Sequence, residues 1–108
     1  ADLLKSVAAD DKQPNYIRDL ARLKMASTDG VLTADEAAAI LAKLSEPGGV
    51  YRNVATELLV AVQLQRGDTE AALELLQAHI KDAVASSEQI QRMAELIVAL
   101  GASPELAN

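Results

Sequence analysis

The chain has 108 residues and a formal net charge of −6; half its residues are apolar and none is cysteine. That length builds one domain with a modest core, the acidic balance argues against a phosphate-backbone partner, which needs clustered Lys and Arg, and without cysteine there are no disulfides, thiolate zinc sites or cysteine nucleophiles. The apolar half holds 21 Ala and 16 Leu against 13 Val plus Ile, with Tyr16 and Tyr51 as the only aromatics. Such a mixture loses little side-chain entropy in a helix and gives a strand-built core little to work with, so an all-helical domain is expected.

The first element, Ala1 to Ala9, reads as a short helix or the frayed end of one, with Leu3, Leu4 and Val7 on one face. Asp10 through Pro14 break that pattern, and Asn15 is placed to cap a second helix running to about Thr28, with Ile17, Leu20 and Ala21 in one stripe. Asp29 and Gly30 form a turn. Thr33 is followed three residues on by Glu36, the capping-box spacing, so a third helix starts there and carries Ala37, Ile40, Leu41 and Leu44 to the stop at Pro47, Gly48 and Gly49.

The fourth helix spans about Tyr51 to Arg66 and is apolar over a wide arc through Val54, Ala55, Leu58, Leu59, Ala61 and Val62, which implies neighbours on two sides. Gly67 turns the chain and Asp68 caps a fifth helix with Ala72, Leu75, Leu76 and Ile80 on one face. Ser86 or Ser87 caps a sixth, with Ile90, Met93, Ala94, Ile97 and Leu100 in its stripe before Gly101 and Pro104. No alternating β-branched run appears. No apolar run approaches the length of a membrane span and no basic-then-apolar leader opens the chain, so the sequence is expected to behave as a soluble piece.

An internal repeat organises these helices. Arg18, Asp19, Leu20 and Ala21 match Arg52, Asn53, Val54 and Ala55 thirty-four positions on, and Glu36, Ala37 and Ala38 match Glu70, Ala71 and Ala72 at the same spacing. A third half-copy places Ile90 and Ala94 where Ile17 and Ala21 stand. The unit is a helical hairpin of tetratricopeptide length. One domain over 1–108 follows, divided into an N-terminal helix and linker (1–13), a first hairpin (14–47), a second (50–84) and a capping helix (87–101).

The stretch Gly67-Asp68-Thr69-Glu70-Ala71-Ala72, with large apolar residues at Leu59 and Leu76, resembles the turn and second helix of a tetratricopeptide repeat. Thr56 and Gln63 stand where that pattern usually has aromatics and Val84 where it has proline, so the resemblance is divergent. The order of segments, from Pro14–Ala21 through Tyr51-Arg52-Asn53-Val54-Ala55 to the Gly67-Asp68 hairpin, is also similar to the C-terminal region of a bacterial family of single-pass membrane proteins, the ancillary subunits of the Sec translocon. That resemblance implies a right-handed α-solenoid fragment on the periplasmic face of the inner membrane. It further implies binding to translocon components or chaperones, an anchor in a segment absent from this chain, and no catalytic residues.

A solenoid lines its concave face with the first helix of each hairpin, the usual seat of a peptide or partner helix. The repeat register puts Leu23 and Ser27 of the first copy and Glu57, Ala61 and Gln65 of the second nearest that surface. The competing reading is that another helix of the parent chain covers the groove.

Other motifs point to structure before chemistry. Ser27 through Glu36 resembles the second half of a calcium-binding EF-hand loop, with Gly30, Leu32 and Glu36 at its sixth, eighth and twelfth positions, but Met25 stands where the first carboxylate belongs. A capped helix–helix turn is the favoured reading and a degenerate calcium-responsive module centred on Asp29 and Glu36 the alternative. His79 is the only histidine and sits near the end of the fifth helix, where an imidazolium would be favoured by the helix dipole. Serine chemistry would need it beside a serine such as Ser45 and a carboxylate, and no nucleophile-elbow glycines support this. No lysine follows Gly48-Gly49 at phosphate-loop spacing. No enzyme activity, cofactor or metal site is expected. Arg18 and Arg52, equivalent in the two copies, are expected to reach the carbonyl end of the preceding helix or a carboxylate on the neighbouring hairpin.

Overall fold

The computed structural model describes residues 2–28, 30–82 and 85–104. Among these residues there are six helices and no strand: α1 (Asp2–Ala9), α2 (Asn15–Ser27), α3 (Ala34–Leu44), α4 (Arg52–Gln65), α5 (Thr69–Ile80) and α6 (Ser87–Ala99). Asp29 and Val84 lie outside the described residues.

Local chemistry sets most of the boundaries. Thr33 Oγ1 accepts from the Glu36 N–H at 3.1 Å while Glu36 Oε1 accepts from the Thr33 N–H at 3.0 Å, so both halves of the capping box are present. A second box starts α6, where Ser86 Oγ accepts from the Gln89 N–H at 3.2 Å and Gln89 Oε1 from the Ser86 N–H at 3.0 Å. Asp68 caps α5 through the Ala71 N–H at 3.1 Å. The second helix differs from expectation. Pro14, at φ −58° and ψ 151°, takes the cap position, and Asn15 is the first helical residue. The proline's own carbonyl accepts the first helical amides, from Ile17 and Arg18, and Asn15 Oδ1 is turned to the Arg18 guanidinium at 3.4 Å. Gly67 closes the α4–α5 turn with φ +78°, a conformation that glycine adopts at little cost and residues with a Cβ rarely adopt.

The helices pack in chain order, α1 on α2, α2 on α3, and so on to α5 on α6, and the molecule is elongated, 44 × 28 × 17 Å. Two apolar cores result. The first joins Leu23 of α2, Ala38, Leu41 and Leu44 of α3, and Ala55 and Leu59 of α4. The second joins Val60 of α4, Ala72, Leu76 and Ile80 of α5, and Met93 and Ile97 of α6. Helix α4 therefore serves both cores from opposite faces, the arrangement its wide apolar arc predicts, and Leu75 of α5 borders both.

The two equivalent arginines tie helix ends together. Arg18 Nε reaches the carbonyl of Ala8 at the end of α1 at 3.4 Å, and Arg22 Nη2 reaches the same oxygen at 3.2 Å. Arg52 pairs with Asp82 beyond the end of α5, which places its carboxylate partner on the far end of its own hairpin and not on the neighbouring one.

Leu41 and Ile97 are fully enclosed, one in each core. Truncating either to alanine should lower unfolding stability by about 2–5 kcal/mol. Urea titration followed by circular dichroism checks this, and it should show one cooperative transition in both variants because α4 carries each core into the other.

Candidate functional site

The polar residues that helical periodicity places on apolar stripes converge where α4, α5 and α6 meet. Thr56, His79 and Gln89 are the buried polar side chains among the described residues, and His79 is only 4% exposed. Each occupies a core position of its helix: His79 continues the stripe of Ala72 and Leu76, and Gln89 begins the stripe of Met93 and Ile97. Buried polar groups need partners, and here His79 and Gln89 share one in Asn53. His79 Nε2 hydrogen-bonds Asn53 Oδ1. Asn53 Nδ2 donates to Gln89 Oε1 at 2.6 Å, Gln89 Nε2 donates to Glu57 Oε1 at 2.7 Å, and Arg92 Nη2 donates to the same oxygen at 2.9 Å. A continuous chain of hydrogen bonds thus runs from the buried imidazole to the surface and links three helices. Thr56 Oγ1 turns back to its own helix and donates to the Arg52 carbonyl at 2.8 Å.

Burial pushes the His79 imidazole below its ordinary value of 6.5; Asp82 and Glu57 pull it upward and Arg52 downward, the loss of hydration being the largest effect. The expected preference for an imidazolium at the helix end is therefore reversed, because a charge withdrawn from water costs more than the helix dipole returns. A small pocket of about 130 Å³ beside the ring is lined by Ser45, Arg52, Thr56, His79 and Asp82. It brings Ser45, a histidine and a carboxylate to one place, yet Ser45 Oγ donates to the Ala42 carbonyl at 2.9 Å, His79 Nε2 is turned to Asn53 and Asp82 pairs with Arg52. The geometry is that of a structural polar cluster.

Above this cluster lies a shallow groove of about 140 Å³ between α4 and α6, with Val60, Leu76, Met93 and Leu96 beneath and Glu57 and Arg92 at its rim. Of the residues expected on a partner surface, Glu57, Ala61 and Gln65 follow one another at four-residue spacing along α4, and Ala61 and Gln65 are exposed. Glu57 is partly buried and holds α6 through Gln89 and Arg92. Ser27 is exposed at the end of α2. Leu23 is not available: its side chain belongs to the first core, because α3 and α4 close over that face of α2. Asn53, His79, Gln89 and Arg92 were not singled out as a group by sequence; the signal available was a polar residue on an apolar stripe at His79 and Gln89.

Glu36 gives its carboxylate to the capping box, which holds it below the usual carboxylate range. Asp29 lies outside the described residues. Among the described residues, no group of three or more His, Cys, Asp or Glu side chains is arranged to hold a metal ion, and no helix is long and apolar enough to cross a membrane. Comparison with known protein families, with curated proteins and with solved structures gives no match.

Replacing Gln89 with alanine leaves Asn53 and Glu57 without a shared partner and should cost about 1–3 kcal/mol, whereas Gln91→Ala on the exposed side of α6 should stay within about 0.5 kcal/mol; chemical denaturation separates the two. His79 adds a pH dependence with a definite sign. The unfolded imidazole takes up a proton near 6.5 and the folded one only at lower pH, so the unfolded state binds more protons in between. Stability should therefore fall as pH drops below about 6.5 and level off once the folded imidazole is also protonated. His79→Gln should remove that part of the profile.

Proposed function

We propose that this chain is a non-enzymatic protein interaction domain, a tetratricopeptide-like stack of two helical hairpins closed by α6, which takes a peptide segment of a partner in the groove between α4 and α6. The observation that carries the reading is that groove, with an apolar floor from Val60, Leu76, Met93 and Leu96 and a charged rim. Packing of helices in chain order, the elongated shape and the thirty-four-residue spacing support a solenoid over a closed bundle. Side-chain bonds between first helices support it as well: Tyr51 Oη donates to the Tyr16 carbonyl at 3.0 Å, joining α4 to α2, and Glu57 joins α4 to α6.

The occupant that fits is a segment with an apolar anchor flanked by basic residues. Glu57 and Arg92 offset one another at the rim, and the exposed Glu88 and Glu95, one turn to either side of Arg92 on α6, leave the face acidic on balance, in keeping with the net charge of −6. On the family resemblance, the parent is a membrane-anchored bacterial envelope protein whose domain recruits translocon or chaperone partners at the periplasmic face.

Selection from a displayed library of linear peptides tests the groove. The expected result is a set of basic-apolar sequences whose binding is lost in Ala61→Arg, which sets a bulky charge one turn along α4 from the rim residue Glu57, and kept in Ala78→Arg, a change on the exposed part of α5. Selected peptides indifferent to Ala61→Arg remove the reading. The envelope assignment is tested separately in the full-length protein, where an apolar span flanked by positive charge should precede this domain.

A further inference from the structure

The hydrogen-bonded chain from Glu57 to His79 has a direction, and it is set at two independent points. An ionised carboxylate only accepts, so Gln89 turns its NH₂ group to Glu57 Oε1. A backbone N–H only donates, so the Ser86 amide likewise requires the carbonyl oxygen of Gln89 on its side. Gln89 Oε1 is then the atom facing Asn53, which must present its NH₂ there and its Oδ1 to His79. Neutral His79 consequently carries its proton on Nε2, and Nδ1 is the atom that gains one on acidification.

We propose that this chain is a proton-linked clasp on the α4–α6 groove: protonation of His79 at Nδ1 favours release of the first turns of α6, and with it the loss of the Glu57–Arg92 rim. The proposal deepens the partner-binding reading and takes its biological meaning from it, but its test uses the free protein, so failure of either leaves the other distinguishable.

The surroundings of the ring explain the sign. From α4, Arg52 and Glu57 face it; Asp82 lies beyond the end of its own helix and the exposed Lys81 precedes that; α6 contributes Arg92, with Glu88 and Glu95 exposed; from the end of α3, Ser45 brings only a hydroxyl. Both nearby carboxylates already hold an arginine, Asp82 that of Arg52 and Glu57 that of Arg92. A buried imidazolium must therefore share counter-ions that are engaged elsewhere, and exposure to water relieves it. Helix α6 is the element that yields, because it packs closely along α5 alone and meets α4 through side chains, chiefly those of this polar chain, whereas α4 and α5 are each packed closely on both sides. Once its first turn opens, Gln89 leaves Asn53, and water reaches the Asn53–His79 pair through the position Gln89 held.

Two measurements test the clasp. Because the chain has one histidine, the imidazole nitrogen signals of a ¹⁵N-labelled sample belong to His79 alone; at neutral pH they should show the Nε2–H tautomer, and an Nδ1–H pattern would overturn the proposal. Amide hydrogen exchange, corrected for its intrinsic pH dependence, is then compared between α6 (Met93, Ile97) and α3 (Leu41) at about pH 7.5 and about pH 5.5, either side of the ordinary histidine range. Protection in α6 should fall relative to α3, by at most about tenfold for every pH unit by which burial holds the imidazole below its ordinary value. In His79→Gln the ratio should not change with pH. Protection falling equally in both helices, or a ratio that shifts as much in His79→Gln as in the wild type, would sink it; the tautomer and the wild-type ratio need no variant and stand even if the substitution prevents folding.

Discussion

Helix α4 has to be buried on two faces at once, and the rest of the molecule is arranged to meet that requirement. Ala55 and Leu59 point into the core shared with α2 and α3, while Val60 points into the core shared with α5 and α6. A helix with one apolar stripe is satisfied by a single partner; one with a wide arc leaves apolar surface in water unless a second layer covers it. The chain supplies that layer from each side, so two modest cores, neither large enough to stand well by itself in a chain this short, share a central element. Packing of each helix on the next in chain order accounts for the elongated shape.

The same helix carries the polar chain that finishes the second core. Asn53 and Glu57 leave α4 on the side where α6 docks, and they meet a glutamine and a histidine that stand at core positions of α6 and α5. Apolar side chains at those positions would pack adequately but would let α6 slide along its axis. Hydrogen bonds with fixed donors and acceptors admit one register, because any shift strands buried polar groups. The groove between α4 and α6 owes its width and its charged rim to that register, so the interior cluster and the proposed partner surface are two sides of one arrangement.

The features read correctly along the chain are those whose partners lie within a few residues. The Thr33–Glu36 box, the Asp68 cap and the helix start at Ser86 close rings over three residues; of the two arginines, whose partners lie further off, Arg18 reaches the preceding helix end as expected, whereas Arg52 takes a carboxylate of its own hairpin. Pro14 takes the cap position in place of Asn15: its ring fixes φ, and with ψ extended its carbonyl accepts the first helical amides. Leu23 was misplaced on an open face for a different reason: repeat register states which side of a helix a residue occupies, but not whether the neighbouring hairpin closes over it.

What the sequence determines by itself is therefore the helical class, the six elements, the side-chain caps of α3, α5 and α6 and the wide apolar arc of α4, since propensity, periodicity and capping act over a turn or two of chain. Only the tertiary structure decides that Asn53, His79, Gln89 and Glu57 form one connected chain and that burial lowers the proton affinity of the imidazole. Those residues come from three helices, separated by 26 to 36 positions, and the energy of a buried hydrogen bond or a desolvated charge depends on what surrounds it in space, which no local pattern records.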